Sequence, residues 1–312
     1  MRHIRTNRKY DMHVVWEVSS TCNFDCWYCN PRHHDNKIKG HNYENVMDFF
    51  TDLCSKYNYV YVDMVGGEPT LWPKLKDFMV NKPKNMFVLV STNGSRTLNW
   101  WEKNLKYLDG VCVSVHPDSS DPEHYYQLGK LLSQYPEKPL EMILLIYDEV
   151  KDKVLDLYRR LEQTDWKING RIKIIDNRHI ENTQENLEVI RRSTKSPEVN
   201  EALQEGFFHR NDNFFKIGRE TEIYVDDKLI SLQDAYLMPH RGQTNFKGWK
   251  CTAGRNSLYI YSDGSIYRGS CQNGGVIGNI NIDTSLNIEP WVTCEKLKCF
   301  CMDEVLLEKF KP

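Results

Sequence analysis

The sequence lacks a long apolar run: no uninterrupted apolar stretch approaches the roughly 18 residues that would indicate a membrane-spanning helix. Its first residues, MRHIRTNRKYDMH, are too polar for the apolar segment of a secretion signal. An excess of one charge is also missing, because 41 Lys and Arg residues oppose 43 Asp and Glu residues. The resulting net charge of −2 excludes a protein that binds nucleic acid through bulk charge. We therefore expect a cytoplasmic protein without membrane or bulk nucleic-acid partners.

Cysteine, in contrast, is abundant. The 312 residues include ten cysteines, and a protein in a reducing compartment has little use for five disulfides. Three cysteines lie within residues 22–29 and five within residues 251–301, while Cys54 and Cys112 stand alone. Grouped cysteines in a reducing compartment indicate metal sites, here one near each end of the chain. The two single cysteines fall in apolar segments, where cysteine behaves as a small buried hydrophobic residue.

Short β-rich runs alternate with helical patterns over the first 180 residues. Repeated βα units with apolar strands indicate a parallel sheet covered by helices. The predicted fold class is therefore α/β, a partial (β/α)6 barrel related to the TIM barrel, in which functional groups gather where strands end. The predicted strands are 13–20, 59–65, 86–92, 110–116, 140–147 and 171–176, and the predicted helices are 43–58, 70–81, 98–108, 121–135 and 150–163.

The remaining part of the chain has a different texture. Residues 190–250 are polar, with a predicted helix over 197–205 and a hairpin around Asp226-Asp227. The segment LYIYSDGSIYRG predicts a second hairpin over 258–269, with Asp263-Gly264 as a two-residue turn. We expect three units: the barrel over 1–185, a bridging or substrate-binding region over 186–250, and a small hairpin-containing module over 251–312 that carries the second cysteine group.

The first cysteine group, CNFDCWYC, directly follows the first predicted strand. It places Cys22, Cys26 and Cys29 at C-x3-C-x2-C spacing. Three thiolates in one loop can hold three irons of a cubane [4Fe–4S] cluster and leave the fourth iron open to another ligand. Zinc is the alternative, but a structural zinc site needs four closed ligands, and here only His33 or His34 could complete the set.

Together with the βα repeat, this motif resembles the cluster loop of the radical S-adenosylmethionine (SAM) superfamily. The resemblance extends to Tyr28, an aromatic residue before the last cysteine, and to Gly66-Gly67-Glu68-Pro69 after the second strand. In that family the open iron is chelated by the amino and carboxylate groups of SAM, and the GGEP segment lines the SAM ammonium site. Glycine suits this role because it lets backbone carbonyls approach the ligand closely.

Polar residues at the ends of other strands are further candidates. Ser91 and Asn93 end the third strand, where family members often contact SAM or substrate, although an ordinary Asn-Gly turn has the same residues. Alternation turns Ser114 and His116 toward the lumen as contacts to the SAM ribose or carboxylate, and a satisfied buried histidine is the alternative for His116. Glu17 is either a lumen acid near the substrate or one half of a buried ion pair, and the ion pair is favoured.

The second cysteine group indicates another site. The hairpin brings Cys251 and Cys271 together at its open end, and a two-residue turn would place Cys271 opposite Asn256. The C-x4-C-x-C segment could fold over that end, and four thiolates would close either a second [4Fe–4S] cluster or a zinc site. The arrangement resembles twitch and SPASM modules, of which the shorter twitch type, with one auxiliary cluster, fits better. The sequence leaves open which four of the five cysteines are ligands: Cys251, Cys271, Cys294, Cys299 and Cys301.

The resemblance implies an enzyme of the oxidoreductase or transferase type that cleaves SAM reductively to methionine and a 5′-deoxyadenosyl radical. That radical removes a hydrogen atom from the substrate, a step that needs no conventional acid–base pair. The auxiliary cluster would assist redox chemistry or substrate binding, and a flavodoxin- or ferredoxin-type protein would supply electrons.

Three functions remain open. The short chain favours a small polar substrate such as a sugar, a nucleoside or another metabolite. The second is a peptide-modifying enzyme that forms crosslinks or thioethers; about a dozen residues precede the first predicted strand, too few for the leader-binding domain common in that group. The third is a zinc-stabilised binding protein without enzymatic activity, which does not account for the GGEP segment and the βα repeat together.

Overall fold

A computed structural model describes residues 1–175, 207–208, 210–211, 221–239, 241–299 and 302–312. The predicted helix over 197–205 and Cys301 lie outside these ranges. The strands are β1 (His3–Arg8), β2 (Met12–Glu17), β3 (Val60–Val65), β4 (Met86–Thr92), β5 (Gly110–Val115), β6 (Leu140–Ile146), β7 (Asn169–Ile174), β8 (Phe207–Phe208), β9 (Thr221–Val225), β10 (Lys228–Ile230), β11 (Lys250–Cys251), β12 (Ser257–Ile260), β13 (Ser265–Tyr267), β14 (Val276–Asn279), β15 (Val292–Thr293) and β16 (Lys309–Phe310). The α-helices are α1 (Tyr43–Lys56), α2 (Leu75–Asn81), α3 (Leu98–Asn104), α4 (Pro122–Leu132), α5 (Lys151–Glu162), α6 (Leu232–Leu237) and α7 (Met302–Val305).

Six parallel strands, β2 to β7, lie side by side in chain order, which confirms the predicted partial barrel. Their alternation explains the layering. Val14 and Trp16 of β2 are fully buried, and the indole of Trp16 packs against Phe50 of α1 and Phe78 of α2. The helices therefore cover one face of the sheet, while the other face lines the lumen. The sheet does not close, because its described edges are β14 and β8.

Local signals account for the helix boundaries. Asn42 caps α1 through the backbone N–H of Asn45, and Asp121 caps α4 through that of Glu123, as the Asp-Pro-Glu pattern predicts. The predicted helix over 70–81 is wrong in its first half. A 3-10 turn occupies Pro69–Leu71, and α2 begins only after Pro73, because a proline disfavours helical geometry at the residue before it.

The barrel sheet continues beyond β2 through the hairpin of β12 and β13. Strand β12 pairs in parallel with β2, and β13 and β14 follow in antiparallel order. The predicted hairpin is confirmed, but its register is wrong by one residue, because Tyr259 pairs with Tyr267 and the turn comprises three residues. Gly264, the last residue of this turn, has a φ of 90°, the left-handed geometry typical of that position. Because the register is shifted by one residue, Cys271 does not lie opposite Asn256.

A second sheet joins the two ends of the chain in the order β10-β9-β1-β16-β11-β15. The predicted hairpin at Asp226-Asp227 is confirmed, with φ of 49° and 66° at the two turn residues. Strand β1 was not predicted, because only Ile4 of its six residues is buried and the segment reads as polar surface. Within the part of the chain that the structure describes, no helix is long and apolar enough to cross a membrane.

Candidate functional site

A cavity of about 190 Å³ lies at the carboxyl ends of the barrel strands. Parallel strands end at the same edge of a sheet, so the loops that follow them meet there. Most of the residues predicted for the first site line this cavity: Cys22, Cys26, Cys29, Gly66, Gly67, Ser91, Asn93, Ser114 and His116. Phe24, Val65 and Thr92 also line the cavity without having been singled out by a sequence pattern, and so do His33 and His34, which the sequence offers only as zinc ligands.

The three thiols belong to one loop, which is held in shape by hydrogen bonds within the loop. The N–H of Cys29 donates to the carbonyl of Cys26 at 2.9 Å, and the N–H of Phe24 lies 3.4 Å from the Cys22 sulfur. Burial, with the neighbouring thiols, raises the pKa of Cys29 to about 11, and burial also raises the pKa of Cys22 and Cys26. The free thiols are therefore protonated at neutral pH, and metal binding would release their protons.

His116 stands beside the middle cysteine. Its Nδ1 lies 3.3 Å from the Cys26 sulfur and 2.7 Å from the Tyr28 hydroxyl oxygen, and the rings of Tyr28 and His116 stack. Burial lowers the pKa of His116 to about 4, so its imidazole is neutral at neutral pH. Tyr28 does not line the cavity; it contacts His116 and thereby orients the imidazole against Cys26.

The two glycines of the GGEP segment let two backbones touch. Gly66 has a φ of 119°, and a Cβ there would lie 2.6 Å from the Ser19 carbonyl oxygen. A Cβ on Gly67 would overlap the Thr21 carbonyl, while the Gly67 N–H donates to the Ser19 carbonyl at 2.9 Å. The chain leading into the cysteine loop is thus held directly against the glycine segment, which aligns the two loops.

We expect Gly67→Ala to lower the free energy of unfolding by about 1–3 kcal/mol, because its Cβ overlaps backbone that cannot move aside cheaply. Gly242→Ala is the reference for backbone strain alone, since Gly242 has a left-handed φ of 69° and a Cβ there meets nothing within 4 Å. Denaturant unfolding compares the two variants. An unchanged free energy of unfolding in Gly67→Ala would show that the contact with Thr21 has no energetic role.

Glu68 does not line the cavity but fixes the loops around it. Its carboxylate is fully buried, and Oε1 accepts from the N–H and hydroxyl of Thr70 at 2.9 and 2.6 Å and from the hydroxyl of Thr92 at 2.7 Å. Oε2 accepts from the N–H of Asn93 at 2.6 Å. Burial raises the pKa of Glu68. Glu68 therefore connects the loop after β3 to the loop after β4, and the buried Pro69 starts the 3-10 turn behind it.

Asn93 contacts the cysteine loop rather than the open cavity alone. Its Nδ2 donates to Oδ1 of Asn23 at 3.0 Å and lies 3.9 Å from the Cys22 sulfur. Its Oδ1 accepts from the N–H of Ser95 at 3.0 Å, as in an ordinary Asn-Gly turn. Ser91 and Ser114 are half-buried and line the cavity from β4 and β5.

Glu17 is buried and ion-paired, as the sequence favours, but the side chain of its partner Arg32 is 45% exposed. Its carboxylate lies 3.0 Å from the Arg32 guanidinium and 3.3 Å from His33 Nε2. It also accepts from the Tyr259 hydroxyl at 2.8 Å and from the Ser262 N–H at 3.2 Å. Burial acts to raise the pKa of Glu17, but the hydrogen bonds and charges of these partners lower it below its usual value. The residue therefore ties the cysteine loop to the hairpin of β12 and β13.

The second cysteine group meets around another cavity, of only about 10 Å³. The thiols lining it are Cys251, Cys271, Cys294 and Cys299, and Glu304 and Lys309 also line it. Burial raises the pKa of Cys271 and Cys294, and that of Cys299 to about 12. The first cavity leaves space beside its thiols, whereas a group bound among the second set would be enclosed.

The two single cysteines lie in the apolar core. Cys54 packs on the buried face of α1, and the Cys112 thiol lies 3.5 Å from Oε2 of Glu141, which pairs with Arg171.

Among the described residues, no three His, Cys, Asp or Glu side chains converge closely enough to hold a single metal ion.

Comparisons with known proteins agree with this architecture. Residues 16–165 match the model of the Radical SAM superfamily. The S-adenosylmethionine-dependent nucleotide dehydratase of Flammeovirga pacifica is 30% identical over 108 residues, which cover 32% of this chain but only 36% of that protein. Native anSMEcpe with bound AdoMet and Cp18Cys peptide has the same fold, with a TM-score of 0.53 and 18% identity over 88% of this chain and 78% of that chain. Residues 16–165 are thus a radical SAM domain.

Proposed function

We propose that Cys22, Cys26 and Cys29 hold a [4Fe–4S] cluster and that SAM binds beside it in the same cavity. When bound, the cluster and SAM would supply a 5′-deoxyadenosyl radical that abstracts a hydrogen atom from the substrate. The observation that carries the proposal is the lining of one cavity by three thiols, of which Cys26 is buried and Cys22 and Cys29 are half-buried, and by the loops after β3, β4 and β5. Three thiols suit a cubane with one open iron, because thiolate is the ligand that iron–sulfur clusters prefer.

The roles of the chain's own residues follow from their contacts. Gly66 and Gly67 present backbone groups to the cavity, and Ser91 and Ser114 present hydroxyls. Backbone carbonyls accept from an ammonium, and hydroxyls bond to a ribose or a carboxylate. Glu68 acts as a positioning residue that keeps these loops in register. The protein's contribution is thus binding, orientation and exclusion of water, and it needs no general acid–base pair for hydrogen abstraction.

Metal and product analysis tests this proposal. Protein purified and reconstituted without oxygen should contain iron and sulfide, about eight irons per chain if both sites are filled. Addition of SAM with dithionite, or with a reduced flavodoxin or ferredoxin, should yield 5′-deoxyadenosine. Zinc without iron or sulfide would overturn the proposal and support the zinc-stabilised binding protein instead.

For the substrate, we propose a small polar molecule such as a nucleoside, a nucleotide or a sugar. The curated relative is named as a nucleotide dehydratase, which supports this class. A peptide substrate is the second candidate, because the anSMEcpe structure contains a bound peptide. Deuterated nucleosides, nucleotides, sugars and peptides can be screened for transfer of deuterium into 5′-deoxyadenosine. Transfer only from peptides would replace the first candidate by the second.

We further propose that Cys251, Cys271, Cys294 and Cys299 hold an auxiliary [4Fe–4S] cluster. Their four thiols line one enclosed cavity, and four thiolates complete the ligands of a cubane without an open iron. Such a cluster could accept or relay an electron, or help to bind the substrate.

Removal of one auxiliary ligand should separate the two sites. We expect Cys271→Ala to lower the iron content by about half, since one of two cubanes loses a ligand, while SAM cleavage persists at the first site. Cys112→Ala is the control, because this buried cysteine of β5 lines neither of the two thiol cavities. Unchanged iron in Cys271→Ala would remove Cys271 from the ligand set.

A further inference from the structure

A buried lysine stands at the second cysteine cavity. The side chain of Lys309, in β16, is 2% exposed and lines the cavity together with the four thiols. Its ammonium donates to the carbonyl oxygens of Val305 at 3.3 Å and Leu307 at 3.1 Å, and also to that of Glu304. It also lies 5.2 Å from the centroid of the Phe246 ring.

The position of this ammonium is energetically unfavourable without further negative charge. A charged group taken out of water is strongly destabilising unless it is paired. The carbonyl oxygens supply only partial charges, and the Glu304 carboxylate, which lines the same cavity, accepts from the N–H and hydroxyl of Ser270 at 2.5 and 3.0 Å. Four deprotonated cysteines would provide the missing negative charge in the same enclosed space.

We propose that Lys309 stabilises the anionic charge of the group held by the second set of thiolates and raises its reduction potential, an inference that rests on the proposed auxiliary cluster. Reduction adds one electron, from the external donor, and one negative charge to a cluster that already carries four thiolates. A buried cation stabilises the reduced form more than the oxidised form, because little water is present to screen the interaction.

The charge of Lys309 also favours the deprotonated form of the neighbouring thiols. Lys309 acts to lower the pKa of Cys294 and of Cys299, against the burial that raises both. Lys296 also lines the cavity but is only half-buried, so water screens its charge. Replacing either lysine by methionine therefore removes one positive charge beside the same cavity, but water screens the charge of Lys296 more than that of Lys309.

The test is a redox titration of the reconstituted full chain followed by electron paramagnetic resonance. Cys22, Cys26 and Cys29 are replaced by Ala, so that only the auxiliary cluster contributes. We expect Lys309→Met, which keeps an unbranched side chain one atom shorter, to shift the midpoint potential to a more negative value. Lys309→Arg should stay near the unsubstituted value, and Lys296→Met should give a clearly smaller shift than Lys309→Met.

The outcomes separate this inference from the function on which it rests. A missing auxiliary signal and missing iron before any change at Lys309 would overturn the proposed cluster. A full signal with an unchanged potential in Lys309→Met would overturn the role of Lys309 alone. If Lys309→Met fails to retain the cluster while Lys309→Arg retains it, the charge is required. Failure of both variants would assign Lys309 a packing role and overturn the inference.

Discussion

Cys26→Ala should abolish the formation of 5′-deoxyadenosine from SAM under reducing conditions. The Cys26 sulfur lines the cavity together with the two other thiols of its loop and lies 3.3 Å from Nδ1 of His116. Its removal leaves two thiols, which cannot hold a cubane with a single open iron. The measurement is anaerobic reconstitution, followed by chromatography of the products formed with SAM and dithionite.

Cys54→Ala provides the matched control for this experiment. Cys54 is also buried, but it packs in the core on α1, away from the cavity. Its replacement removes one buried sulfur, which we expect to cost about 1 kcal/mol of stability and to leave product formation intact. Product formation at the unsubstituted rate in Cys26→Ala would contradict the assignment of the first site.

Glu68→Gln should lower the rate of 5′-deoxyadenosine formation by about tenfold or more and the free energy of unfolding by about 1–3 kcal/mol. Each carboxylate oxygen accepts hydrogen bonds only: Oε1 from Thr70 and Thr92, and Oε2 from the Asn93 N–H. Glutamine has nearly the same shape, but its amide nitrogen is a donor. In either orientation a buried donor faces another donor, so the loops after β3 and β4 lose their register.

Glu141→Gln distinguishes this effect from a general loss of a buried carboxylate. Glu141 is also buried in the barrel, but it bonds to Cys112 and Arg171 instead of the loops around the thiols. We expect Glu141→Gln to lower stability and to leave SAM cleavage, assayed without substrate, near its normal rate. Comparable loss of SAM cleavage in both variants would show that Glu68 has no special positioning role.

Several features of the fold could be predicted because their signals are local. Alternation of apolar residues places Val14 and Trp16 toward the helices, and an Asp-Pro-Glu pattern starts α4. The predicted helix over 70–81 was too long, because the apolar spacing of this segment continues through Pro73 although α2 begins only after it. Strand β1 was missed because its residues are mostly polar and its pairing partners lie more than 200 positions away.

The sequence predicted which residues form the candidate site but not what each of them contacts. The cysteine spacing and the GGEP segment identified both loops, yet Gly67 contacts the backbone at Thr21, and Glu68 bonds to Thr92 and Asn93 rather than facing the cavity. The contribution of Thr92 had no signal beyond its place at a strand end. Contacts of this kind depend on how three separate loops approach one another.

The sequence by itself determined the superfamily resemblance, the order of the parallel strands and the three-thiol loop. These are properties of residues close together along the chain, where spacing and periodicity decide the structure. Only the tertiary structure decided that Glu17 joins the cysteine loop to Tyr259, that β12 extends the barrel sheet beside β2, and that Lys309 is buried beside the second thiols. Such distant pairings depend on the packing and burial of the whole chain, which no local pattern records.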